Sequence, residues 1–136
     1  MADTISQARR SENMRRIRSK GMKPEMAVRR LAHALGYRFR LHSSDLPGKP
    51  DLVFPRLGKI VDVRGCFWHQ HPKCVDSHIP KSRADYWKPK LKGNRMRDKK
   101  NLKALTALGW SVLPIWECEV TELKSLTLKL RKFLAN

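Results

Sequence analysis

The chain has 136 residues, enough for one domain with a genuine core, and carries 30 lysines and arginines against 12 acids, a net charge of +18. That excess makes a polyanion the expected partner and supplies affinity rather than specificity. Three cysteines cannot all pair internally, no apolar run reaches transmembrane length, and the N-terminus lacks a signal-peptide core, so a reducing, cytoplasmic and nucleoid-associated location is expected rather than secretion.

Residues 1–20 read as a basic arm or helix that orders on DNA, the alternative being a simply disordered basic tail, and residues 21–136 as a single domain, since no repeat or Gly/Ser linker divides them. After Ala8 the arm offers only Met14 and Ile17 as apolar residues, too few to bury a helix face. Pro24 suits a helix's first turn, and Met26, Val28, Leu31 and Leu35 form a stripe that ends near Gly36. Tyr37 to Leu41 alternates as a strand should. Asp51 to Phe54 and Lys59 to Arg64 are short β runs around a turn at Pro55 and Gly58. Asn94 to Leu108 predicts a basic helix with Leu102, Leu105 and Leu108 inward and Gly109 as its stop. Trp110 to Trp116 predicts a buried strand, and Leu123, Leu126, Leu130 and Phe133 mark a last helix. The sum is a mixed α/β domain with one sheet flanked by helices.

Between the Lys59–Arg64 strand and the Asn94–Leu108 helix stands Gly65-Cys66-Phe67-Trp68-His69-Gln70-His71-Pro72-Lys73-Cys74, with Trp116-Glu117-Cys118 far downstream. Thiolates and a neutral imidazole suit a closed tetrahedral zinc site of Cys3His type. Four residues separate Cys66 from His71 and two separate His71 from Cys74, so a short loop can wrap one ion that Cys118 ties to a distant segment. His69, His71 and His78 all lie within reach as the fourth ligand; His71 is favoured because it leaves His69 free. The alternative is three unrelated buried thiols.

Acids are scarce here, so one at a loop-to-strand junction is informative. Asp51 follows the rigid turn Leu46-Pro47-Gly48-Lys49-Pro50, and Asp62 and Arg64 share one side of the next strand. This is the Pro-Asp … Asp-x-Lys arrangement of metal-dependent nucleases with Arg in place of Lys. A hard divalent cation needs one or two carboxylates and keeps several waters. The plainer alternative is a capping Asp51 and a surface Asp62–Arg64 pair.

Taken together, these residues resemble the very-short-patch repair (Vsr-type) endonucleases. The resemblance runs through Arg10 to Arg15, Pro24-Glu25, Leu46 to Asp51, Gly65 to His69, Tyr86-Trp87, Asn94, Arg97-Asp98, Gly109-Trp110 and Trp116 to Cys118. It implies a restriction-endonuclease-like fold and strand-specific nicking beside T·G mismatches in double-stranded DNA. It further implies that Asp51 holds a catalytic Mg2+ with the backbone carbonyl of Val63, that Glu25 supports the ion's water shell, and that His69 is the catalytic histidine. Cys66, His71, Cys74 and Cys118 correspond to the family's structural zinc ligands. Phe67, Trp68 and Trp87 correspond to an aromatic wedge beside the mismatch, with Met14 entering from the other groove and Asn94 among the DNA-contacting positions.

There are departures. The family usually carries His where Arg64 stands and an apolar residue where Asp62 stands, and the loop to Cys74 is one residue longer. Arginine cannot donate a proton at neutral pH, so Asp62 and Arg64 restore the general nuclease pattern instead, an added metal carboxylate and a phosphate-directed cation. The expected function is therefore a Mg-dependent nicking endonuclease acting as a monomer, with mismatch-repair proteins as further candidate partners. The alternatives are a zinc-braced DNA-binding module that does not cut and a restriction-type nuclease of other specificity.

Overall fold

The computed structural model describes residues 23–136, so the basic arm expected over residues 1–20, with its Met14, lies outside the described residues. Helix α1 (Pro24–Ala34) opens on Pro24, whose missing N–H costs nothing in a first turn. Ala27, Val28, Leu31 and Ala32 form its buried stripe. It stops at Gly36, whose φ of +94° lets the Tyr37 N–H donate back to the Ala32 carbonyl at 3.1 Å.

The strand expected over Tyr37–Leu41 contracts to β1 (Arg40–Leu41). Tyr37 instead turns into the core and meets Phe54 edge-on, with ring centroids 6.5 Å apart. Strands β2 (Leu52–Phe54) and β3 (Lys59–Arg64) follow, then helix α2 (Ala84–Ala107), strand β4 (Ser111–Trp116) and helix α3 (Leu123–Ala135). The four strands form one sheet in the order β1-β2-β3-β4, antiparallel except for the parallel pair β3–β4. Parallel neighbours need a long crossover, and here it consists of the Cys/His loop and α2.

Side-chain alternation divides the core. Leu52, Phe54, Val61 and Ile115 pack against α1 and α3 on one face, where Leu31, Leu126, Leu130 and Leu134 are buried. Val53 and Ile60 meet Leu105 of α2 on the other. By the same alternation Asp62 and Arg64 face α2, because they share the parity of Ile60.

Helix α2 corrects the expectation from sequence. It begins at Ala84 rather than Asn94, running through Pro89 near its start. Of the leucines expected inward only Leu105 is buried; Leu102 and Leu108 are exposed, and Leu91 supplies the other buried contact. Eight lysines and arginines lie exposed along this helix, so it is a charged surface element pinned at two points. Strand β4 is less buried than expected, with only Ile115 fully covered, because it is an edge strand. At the last helix Leu134 takes the buried place expected of Phe133, which is half-buried. Among the described residues no helix is long and apolar enough to cross a membrane.

Candidate active site

Two strands are stitched together by their acids where β3 ends and β2 begins. The Val63 N–H donates to Asp51 Oδ2 at 2.7 Å, and the Asp51 N–H donates to Asp62 Oδ1 at 3.2 Å. Each carboxylate thus fixes the backbone that carries another site residue, and Asp51 Oδ1 is left for a further partner. Burial pushes the Asp51 carboxyl up to about 6; the Val63 N–H opposes this, while the charges of Asp62 and Glu25 add to it. Burial likewise raises Asp62, against the Asp51 N–H and the Arg64 charge.

A second group meets Asp51 from α1 and the end of β1. His42 Nε2 lies 2.9 Å from Glu25 Oε1 and 3.8 Å from Asp51 Oδ1. The hydrogen bond and charge of Glu25 hold His42 above the usual imidazole range. His42 has a left-handed backbone (φ +46°), and its N–H donates to the Asp51 carbonyl at 3.1 Å. Sequence reading singled out Glu25 but not His42.

On the far wall, His69 Nδ1 lies 2.6 Å from Asp98 Oδ2. A carboxylate only accepts, so Nδ1 carries the shared hydrogen and Nε2 is left to face a substrate. Asp51, Asp62, Val63, Arg64, His69 and Asp98 line one cleft of about 170 Å³, closed by the Pro47–Lys49 turn and Asn101. Gly48 (φ +76°) is required there: a Cβ would lie 2.7 Å from Asn101 Nδ2. Asp98 was legible only as part of a sequence block; its pairing with His69 spans 29 positions.

Beside the cleft, one donor atom from each of Cys66, His71, Cys74 and Cys118 lies within 4.8 Å of the others. His71 Nδ1 is 3.8 Å from Cys66 Sγ and 3.4 Å from Cys118 Sγ. Tetrahedral zinc with bonds of about 2.0–2.3 Å sets neighbouring donors roughly 3.4–3.8 Å apart, so the residues fit such an ion. Burial pushes the Cys66 thiol up to about 12, and a cation is what would hold it as thiolate at neutral pH. Trp116 stacks on the His71 ring, with centroids 4.2 Å apart and planes at 12°. The Arg64 guanidinium lies 5.7 Å from the Trp116 ring centroid, so Trp116 links the Cys/His cluster to the cleft, a role no sequence signal announced.

Between the two sites the aromatics cluster edge-on. Phe67 meets Trp68 and Trp87 at 5.3 Å each, and Trp68 meets Trp87 at 5.8 Å. Trp68 is 47% exposed. Asn94 Nδ2 donates to the Trp68 carbonyl at 3.1 Å, and its Oδ1 accepts from Arg97 at 3.3 Å. Asn94 therefore positions the aromatic loop.

A family model described as DNA mismatch endonuclease Vsr matches residues 2–75. The type II nicking enzyme V.XorIIP of Xanthomonas oryzae pv. oryzae is 50% identical over 134 residues, 98% of this chain and 98% of its own. The type II nicking enzyme V.NmeAIP of Neisseria meningitidis is 40% identical over 88% of this chain and 85% of its own. The DNA mismatch endonuclease Vsr of Escherichia coli (strain K12) is 36% identical over 93% of this chain and 81% of its own.

Proposed function

We propose, for a chain that belongs to the Vsr family of DNA mismatch endonucleases, that it nicks one strand of double-stranded DNA beside a T·G mismatch in a Mg-dependent hydrolysis. The observation that carries this reading is the meeting of Asp51, Asp62, Val63, Arg64 and the His69–Asp98 pair in one cleft. A binding module has no use for half-buried carboxylates sharing a cleft with an oriented imidazole.

Asp51 would hold the magnesium ion through Oδ1, with Glu25 near its water shell. The amide and carbonyl of one strand residue leave on the same edge, so the Val63 carbonyl is directed toward the side on which its N–H meets Asp51. When bound, the ion stabilises charge on the attacking and leaving oxygens of an in-line phosphoryl displacement. The chain's own residues do the rest. Asp62 holds the Asp51 backbone in place. His69, its tautomer set by Asp98, moves the proton at Nε2. Arg64, seated against Trp116, is the phosphate-directed cation.

Specificity falls to the aromatic cluster. Inserting side chains between base steps costs a few kcal/mol of unstacking, least at a mispaired step, so insertion itself senses a mismatch. Phe67, Trp68 and Trp87 are proposed as that wedge, with Met14 from a DNA-contacting arm over residues 1–20. The remaining residues, 21–136, form one domain of restriction-endonuclease-like fold, braced by zinc on Cys66, His71, Cys74 and Cys118. The protein acts as a cytoplasmic monomer. The test is a labelled duplex bearing a T·G pair beside its matched control, with and without Mg2+. One nick in one strand of the mismatched duplex alone is expected, whereas binding without cutting, or cutting of both duplexes, overturns the reading.

A further inference from the structure

We propose that His42 joins Asp51 as a direct ligand of the catalytic cation, with Glu25 beside the pair at the ion's water shell, so that the centre binds a first-row transition ion such as Mn2+ more tightly than oxygen ligands alone allow. The inference rests on the reading of Asp51 as a metal ligand and adds to it a nitrogen donor and a metal preference.

The geometry is that of a ligand set. One donor atom from each of the three side chains lies within 4.8 Å of the others. Adjacent donors of a six-coordinate ion with bonds near 2.1 Å sit about 3 Å apart. His42 Nε2 stands 2.9 Å from Glu25 Oε1 and 3.8 Å from Asp51 Oδ1. The His42 side chain is 52% exposed, which leaves room on its open side for waters to complete the shell.

His42 is also held where it is by its backbone. A non-glycine residue at φ +46° adopts a sparsely populated conformation, and such positions concentrate at functional sites. Its N–H donates to the carbonyl of Asp51 itself, so imidazole and carboxylate are tied to one backbone contact. Glu25 reaches the same point from the first turn of α1. A surface ion pair between His42 and Glu25 alone would not need the ring to approach Asp51 as well. Carboxylates and waters suit Mg2+, whereas imidazole favours first-row transition ions.

The test uses the full-length chain loaded with one equivalent of zinc and titrated with Mn2+, followed by electron paramagnetic resonance. Wild type and His69→Ala should show hyperfine coupling of bound Mn2+ to an imidazole nitrogen, and His42→Asn should lose it. Asparagine tolerates the left-handed backbone, so the loop keeps its shape. The free-ion signal should also show Mn2+ affinity falling about tenfold or more in His42→Asn, with Mg2+ affinity, read by competition, falling less. Coupling that is missing from wild type or persists in His42→Asn overturns the inference, as does an unchanged Mn2+ affinity. Asp51→Asn separates the two readings. If it leaves Mn2+ binding intact, the metal centre itself is misplaced; if it abolishes binding while His42→Asn keeps the nitrogen coupling, only the ligand assignment to His42 fails.

Discussion

His69 and Asp98 sit 2.6 Å apart across the cleft, joining the middle of the Cys/His loop to the middle of α2. That contact fixes which ring nitrogen carries the shared hydrogen, so the helix that carries the basic surface also orients the His69 ring. His69→Ala is expected to lower the single-turnover nicking rate by about 10²–10⁴-fold, the usual range for a positioned acid or base. Asp98→Asn should cost less and change the shape of the pH–rate profile, because the ring loses its fixed tautomer. A variant at Asp98 with wild-type rate and profile would make the contact merely structural.

Burial of the Asp51 carboxyl carries a stability cost. Its carboxyl is raised to about 6 from an ordinary 3.8. Between those values the folded chain keeps a proton that the unfolded chain has released, so this group's contribution to stability falls as pH rises through the window. Without Mg2+, Asp51→Asn should therefore be more stable than wild type at pH 7.5, with the gap shrinking toward pH 5. Thermal melts across that range check it, and a gap independent of pH would contradict the assignment. Mg2+ should restore stability to wild type and not to the variant.

For the Cys/His cluster, Cys118→Ser should reduce bound zinc and lower the melting temperature, since the distal ligand closes the site and metal binding is coupled to folding. Elemental analysis of native and variant protein decides it. Native protein without zinc, or a variant with undiminished zinc, would remove the four-ligand site.

Trp68→Ala and Phe67→Ala should narrow the binding preference for T·G over matched duplexes more than they weaken binding to either. Stacking on a base face is worth about 1–3 kcal/mol, and a mispaired step exposes such faces most readily. Titrations against both duplexes measure this. Equal losses would mean that the cluster serves packing alone.

What the sequence made legible follows from how local each signal is. Pro24 and Gly36 bracket α1 because a first-turn proline and a left-handed glycine act within one turn of chain. The Cys/His spacing brought Cys66, His71 and Cys74 to one place for the same reason, and Cys118 was found only because cysteine is rare here. Helix α2 was expected only from Asn94, whereas it starts at Ala84: Pro89 lies near the helix's start, where losing one hydrogen bond is tolerated, and buried Leu91 anchors that end to the body. His42 escaped notice, and Asp98 was visible only within a sequence block, because their partners are 17 and 29 positions away. No periodicity or motif links such pairs; the sheet order and the crossover do.

Single-turnover nicking and duplex binding, measured side by side for wild type and Asp51→Asn, test whether the Asp51 cleft cuts DNA at a mismatch. On a T·G duplex with Mg2+, wild type should place one nick in one strand. Asp51→Asn should bind that duplex nearly as tightly, since affinity comes mainly from the basic surface, yet leave it uncut. Robust nicking by Asp51→Asn, or a wild-type chain that binds the mismatch and never cuts it, would contradict the account.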